Sequence, residues 1–126
     1  MTICALSSAS GQSGVAVLRI SGPETKKLVE MITRSPLPTP RMANLSKLYN
    51  INTSNVIDEG IILWFPGPSS YTGEDMAELH VHGSRAIISA LQNTILDTKK
   101  CRIAEPGEFT KLAFLNGKIN LLKAEA

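Results

Sequence analysis

The chain has 126 residues, 43% of them apolar and 19% charged, a size and balance that suit one globular domain and exclude a disordered segment. Thirteen Lys and Arg against eleven Asp and Glu leave a net charge of +2, too even for recognition of nucleic acid by bulk charge. No apolar run approaches the roughly 20 residues that a membrane-spanning helix needs, and the start, Met1 to Leu6, carries no pattern of a signal peptide or presequence. The two cysteines, Cys4 and Cys101, lie almost the whole chain apart. They form neither a disulfide framework nor a CxxC pair, and are expected to be reduced, small core residues of an intracellular protein.

Thr2 to Ser8 reads as a short strand, and Ala9 to Gly14 as a flexible loop. Val15 to Ser21 is a second strand, with Val15, Val17 and Arg19 on one face and Ala16, Leu18 and Ile20 on the other. Gly22-Pro23 stops it, and a helix is expected from about Glu24 to Thr33, with Leu28, Val29 and Ile32 at helical spacing. The proline-rich Ser35 to Pro40 is a stiff extended connection. Leu45 to Ile51 is a strand candidate, and Asn52 to Asn55 a turn. The unbroken apolar run Gly60 to Phe65 suits a strand buried on both faces. After a polar loop, Ser69 to Gly73, a strand is expected over Met76 to His82. A helix then opens at Gly83-Ser84 with Ala86, Ile87, Ala90, Leu91 and Ile95 as its apolar stripe. Pro106-Gly107-Glu108 starts another helix through Leu115, Asn116-Gly117 is a turn, and Ile119 to Ala126 begins a further helix without a cap. The chain is therefore expected to be cut inside a longer protein. The order of elements favours an α+β fold, a mixed β-sheet packed with helices, over a regularly alternating parallel one.

Three constellations bear on chemistry. Glu78, His80 and His82 share one strand face and could bind zinc, the plain alternative being the polar, hydrogen-bonded side of a strand. Tyr71-Thr72-Gly73-Glu74-Asp75 reads as turn chemistry or as a site that receives donors. Gly11-Gln12-Ser13-Gly14 leads into a strand rather than a helix, so the anion-site argument fails there. No GxxxxGK followed by Ser or Thr occurs, since Gly117-Lys118 is followed by Ile119. The chain by itself is thus not a P-loop GTPase or ATPase. Arg19, Glu78 and Lys118 stand as isolated charges beside apolar or turn segments.

Taken in order, six blocks resemble one family. They are Val17 to Gly22, Trp64 to Pro68, Tyr71 to Asp75, Glu78 to Gly83, Pro106 to Thr110 and Ala113 to Lys118. Together they resemble the N-terminal domain of the MnmE/TrmE tRNA modification GTPases over almost the whole chain. Departures are small: Ser84 stands where the family usually has a second Gly, Asn120 where Asp is common, and Lys111-Leu112 where a basic pair is common.

The resemblance implies a folate-binding domain over residues 1–120, similar to the tetrahydrofolate-binding domain of the glycine-cleavage T protein, with 121–126 starting a helical domain. It implies binding of 5-formyl tetrahydrofolate as one-carbon donor, and a homodimer. It also implies action with an FAD-dependent MnmG/GidA-type partner on the wobble uridine of tRNA, at carbon 5, with no metal and no membrane involved. The family's folate-contacting positions carry over to Arg19, Glu78 and Lys118. A buried carboxylate such as Glu78 can accept the paired donors of a pterin, Arg19 or Lys118 can meet the anionic glutamate tail, and Leu79 and Phe114 are expected to help line the pocket. The blocks Ala5 to Ser8 and His80-Val81-His82 lean toward mitochondrial members, which implies the matrix in a eukaryote and the cytoplasm in a bacterium. Two other readings remain open: a small zinc enzyme using Glu78, His80 and His82, and a dimerisation module without folate.

Overall fold

The computed structural model describes residues 1–7 and 14–118. Most of the loop expected over 9–14 lies outside the described residues, as do the helix expected from Ile119, Asn120 and the boundary at 120/121. Among the described residues the chain forms β1 (Thr2–Leu6), β2 (Val15–Ser21), α1 (Thr25–Thr33), β3 (Asn44–Tyr49), β4 (Val56–Phe65), β5 (Met76–His82), α2 (Arg85–Asp97), β6 (Cys101–Ile103) and α3 (Glu108–Leu115). The strands make one mixed sheet in the order β3-β4-β5-β2-β1-β6, antiparallel throughout except for the parallel pair β1 and β6. The expected α+β class is what the chain adopts.

Alternation along the strands gives the sheet two unlike faces. Cys4, Ala16, Leu18, Ile20, Ile62, Trp64, Ala77, Leu79 and Val81 form the core with Leu28, Val29 and Ile32 of α1 and Leu91 and Ile95 of α2. Each fully buried large aliphatic side chain there contributes about 2 kcal/mol. The run Gly60 to Phe65 departs from expectation: Gly60, Ile62 and Trp64 are buried, whereas Ile61, Leu63 and Phe65 are only half-buried. Both helices that cross the sheet pack on the first set, so among the described residues the second set is only partly covered. On α2 the stripe is rotated from the expected one, with Ala86 exposed and Thr94 buried, because the Thr94 hydroxyl accepts the Ile51 N–H. Ser84 caps this helix by accepting the Ile87 N–H, as its position predicts.

β6 escapes the sequence reading. Three residues are too few to show a period, and its partner β1 is a hundred residues away along the chain. Its pairing places Thr2 opposite Cys101 and Cys4 opposite Ile103, so both buried, free cysteines share the core face. Contact with Cys4, then burial, pushes the Cys101 thiol up.

Two glycines answer to close approaches. Gly22 ends β2 at φ +137°, and a Cβ there would lie 2.6 Å from the Thr2 Cα. Thr2 in turn accepts the Glu24 N–H at the start of α1. Gly60 lets β4 approach β5, since a Cβ would lie 2.3 Å from the His80 carbonyl oxygen.

The last helix is tethered to β6 by a charge-assisted clamp. Arg102 donates to both carboxylate oxygens of Glu108, at 2.9 and 2.5 Å, and the Glu105 N–H donates to the same carboxylate. The Arg102 guanidinium, then the Glu105 N–H, hold the Glu108 carboxyl at about 2.

Gly60→Ala is expected to destabilise the fold by about 1–3 kcal/mol, because backbone rather than a flexible side chain must move; urea unfolding measures it. Glu108 generates a pH dependence of defined sign. Its folded value is lowered, so the unfolded chain takes up the proton first as the solution is acidified. The stabilisation is complete above the ordinary carboxyl value of 4.5 and is lost as pH falls toward about 2. Urea midpoints across that window should fall more steeply for the wild type than for Arg102→Met.

Candidate functional site

The pairing of β2 with β5 sets Arg19 opposite Glu78 and Val17 opposite His80. All four lie on the face away from α1 and α2, because Leu18 and Leu79 between them point into the core. Arg19 Nε donates to Glu78 Oε2 at 2.9 Å, and His80 Nε2 donates to Glu78 Oε1 at 2.9 Å. The Glu78 side chain is 17% exposed and that of Arg19 41%. A pair so near solvent is worth at most about 1 kcal/mol to stability. Its chemical meaning lies elsewhere: a carboxylate held at both oxygens still offers acceptor capacity at each, and Arg19, bonded through Nε, keeps two terminal amino groups for other acceptors.

This pair forms one wall of a cavity of about 350 Å³, completed by Phe65, Tyr71 and Met76. That volume is within the range of about 300–1,000 Å³ usual for small-molecule sites, and so is the mix of apolar walls with a few polar groups. Phe65 and Met76 face each other across β4 and β5. Tyr71 comes from the 66–75 loop, which is anchored from several sides. Asp75 Oδ1 accepts the Gly67 N–H at 2.9 Å, Ser21 bonds the Thr72 hydroxyl at 2.8 Å and donates to Glu74, and Asn116 donates to the Thr72 carbonyl at 2.7 Å. The Tyr71 hydroxyl meets Thr110 of α3 at 3.2 Å. The acids Glu74 and Asp75 thus do receive donors, but from this chain, as turn chemistry.

Arg19 also borders a second cavity of about 480 Å³, whose walls include Glu105, Phe109 and Thr110. His80 borders a third, more open hollow of about 290 Å³, with Val15, Leu45 and Ile61.

Of the three charged residues singled out in the sequence, Arg19 and Glu78 meet directly. Lys118 does not line the cavity. Its Nζ donates to the Pro68 carbonyl at 2.9 Å, which brings it to the loop that carries Tyr71. The apolar walls also differ from expectation. Leu79 is fully buried on the core face, one residue out of phase with Glu78, and Phe114 is not among the lining residues. Phe65, Tyr71 and Met76 take that part. Tyr71 belonged to a block already noted, and Phe65 to the apolar run; nothing in their local patterns separates a cavity wall from a turn or a core strand.

Glu78, His80 and His82 do not converge as metal ligands. The His82 ring and its backbone N–H donate to Asp58 on β4, at 2.9 to 3.1 Å, while His80 turns to Glu78. Burial raises the Asp58 carboxyl, but the His82 and Glu59 hydrogen bonds outweigh it and leave the group lowered. Among the described residues no three His, Cys, Asp or Glu side chains are grouped to hold a metal. The geometry therefore does not support the zinc reading.

Comparison with known proteins places these residues in a wider frame. Residues 2–118 match the family described as "GTP-binding protein TrmE N-terminus". The chain is 64% identical over its full length to a tRNA modification GTPase MnmE of Pelagibacter ubique, and 50% identical over 125 residues to one of Paramagnetospirillum magneticum; in each case it covers 28% of the relative. It is 47% identical over 124 residues to the mitochondrial 5-taurinomethyluridine-[tRNA] synthase subunit GTPB3 of Danio rerio, covering 25% of that protein. The chain thus spans about a quarter of the length of these curated relatives.

Proposed function

The chain belongs to the TrmE N-terminal family, and from that premise we propose that it is the folate-binding, dimerising module of a tRNA modification GTPase. The observation that carries the reading is the Arg19–Glu78 pair, at 2.9 Å, on the wall of a 350 Å³ cavity with two aromatic side chains. A reduced pterin is a bicycle with adjacent N–H and NH₂ donors on one edge. The two oxygens of Glu78 suit that edge, and Phe65, Tyr71 and Met76 suit its faces. The terminal amino groups of Arg19 suit carbonyl or carboxylate oxygens of the same ligand. Lys118 is exposed and spends one of its three donors on the Pro68 carbonyl, so it can turn to the anionic tail of 5-formyl tetrahydrofolate at little cost.

Dimerisation is supported by the open part of the sheet, where Val15 and Leu45 are more than half exposed beside Ile61. A second copy is the natural cover for such a surface. In the complete protein the one-carbon unit would serve modification of the wobble uridine at carbon 5, together with an FAD-dependent MnmG/GidA-type partner and tRNA. The setting would be the mitochondrial matrix of a eukaryote or the cytoplasm of a bacterium. GTP chemistry would belong to other parts of that protein, since these 126 residues contain no P-loop.

Calorimetric titration with 5-formyl tetrahydrofolate is expected to give micromolar binding, about −8 kcal/mol. Glu78→Ala should weaken it by about 1–3 kcal/mol, by leaving pterin donors unpaired. No heat of binding from the wild type would leave only the dimerisation reading, and equal affinity of the variant would remove Glu78 from the site. The 126-residue chain is expected to show no GTP turnover in a phosphate-release assay. Activity that follows the chain through purification and point substitution would contradict this.

A further inference from the structure

Both carboxylate oxygens of Glu78 are engaged by side chains of this protein, one by Arg19 and the other by a residue outside the cavity wall, His80. We propose that His80 is a positioning residue, which sets the plane of the Glu78 carboxylate for recognition of a ligand with paired N–H donors. The inference rests on the folate reading of the same cavity.

The terminal torsion of a glutamate is broad, so one donor on one oxygen leaves the plane of the group free to turn. Arg19 alone, bonded through Nε to Oε2, is such a donor. The second donor, His80 Nε2 on Oε1, removes that freedom and holds both oxygens in one orientation. Two adjacent donors on a flat ring reward such an orientation, because a turned carboxylate satisfies one of them and strands the other.

His80 is well held for this task. Its backbone pairs with Val17 on one side and Ile61 on the other, and its side chain is 29% exposed. His80 also borders the hollow formed with Val15, Leu45 and Ile61, whose side chains among the described residues are mostly apolar. Among the described residues the other polar side chains on that hollow are Glu59 and His82, and His82 is committed to Asp58. The contact that Nε2 of the ring makes goes to Glu78, and His80 is not among the residues that line the cavity.

The test is calorimetric titration of the 126-residue chain with 5-formyl tetrahydrofolate. His80→Val, a strand-forming replacement without a donor, is expected to weaken binding about tenfold. His80→Gln, whose amide can donate to Oε1, should stay within about threefold of the wild type. In a Glu78→Ala background, His80→Val should have no further effect, as expected for residues acting through one another. Should His80→Val not fold, as judged by thermal unfolding, His80→Ala carries the same expectation. Wild-type affinity in the donor-free variant overturns the inference and leaves the folate reading intact. So does an equal loss in the Val and Gln variants, or an additive loss in the Glu78→Ala background, since either assigns His80 to packing. Absence of binding by the wild type overturns the folate reading, and this inference with it.

Discussion

The site depends on the register between β2 and β5. Arg19 stands opposite Glu78 because Leu18 stands opposite Leu79 and Ile20 opposite Ala77, and those apolar pairs are buried against the two crossing helices. A slip of β2 by one residue would send the Arg19 guanidinium into the core and turn Leu18 outward, and a slip of β5 would do the same to Glu78 and Leu79. The cost of burying unmatched charge and exposing aliphatic area forbids it. The packing that stabilises one face of the sheet thereby aligns the chemistry on the other, and the modest strength of the exposed ion pair is no obstacle.

The second face is finished by segments that contribute little to the core but much to the cavity. The 66–75 loop brings Tyr71 to the Arg19–Glu78 pair, and its polar groups are met within the chain by Ser21, Gly22, Asn116 and one another. Among the described residues no buried side-chain nitrogen or oxygen lacks a partner. Such a loop can stay ordered at the edge of a cavity without an apolar core of its own. The α3 helix is tied to it through Thr110 and Asn116 and to β6 through the Arg102–Glu108 clamp. The loop side of the cavity is thus held by hydrogen bonds and charge more than by apolar packing.

The six blocks that carry the family resemblance supply Arg19, Phe65, Tyr71 and Glu78, which come together from β2, β4, a loop and β5. A single strand motif such as Glu78-Leu79-His80-Val81-His82 invites a metal-site reading when taken alone. In the folded chain its three polar side chains are divided between two different acids, Glu78 with His80 and Asp58 with His82.

Strands β2 and β5, the helices α1 and α2 and the N-cap at Ser84 were legible in the sequence, because period-2 and period-3.6 patterns and capping chemistry are local properties. So was the placing of Arg19 on the strand face opposite Leu18 and Ile20, and of Glu78 on the face it shares with His80. The six ordered blocks were enough to indicate the family, since they are a property of sequence order and need no coordinates. What the sequence could not decide were the relations between distant segments. These include the parallel pairing of β6 with β1, the open side of the Gly60 to Phe65 run, and the choice of Phe65, Tyr71 and Met76 over Leu79 and Phe114 as cavity walls. They also include the place of Lys118 at the Pro68 carbonyl. Each depends on which face a neighbouring element covers, and that is settled by the joint packing of segments far apart in the chain, where no local pattern carries the information.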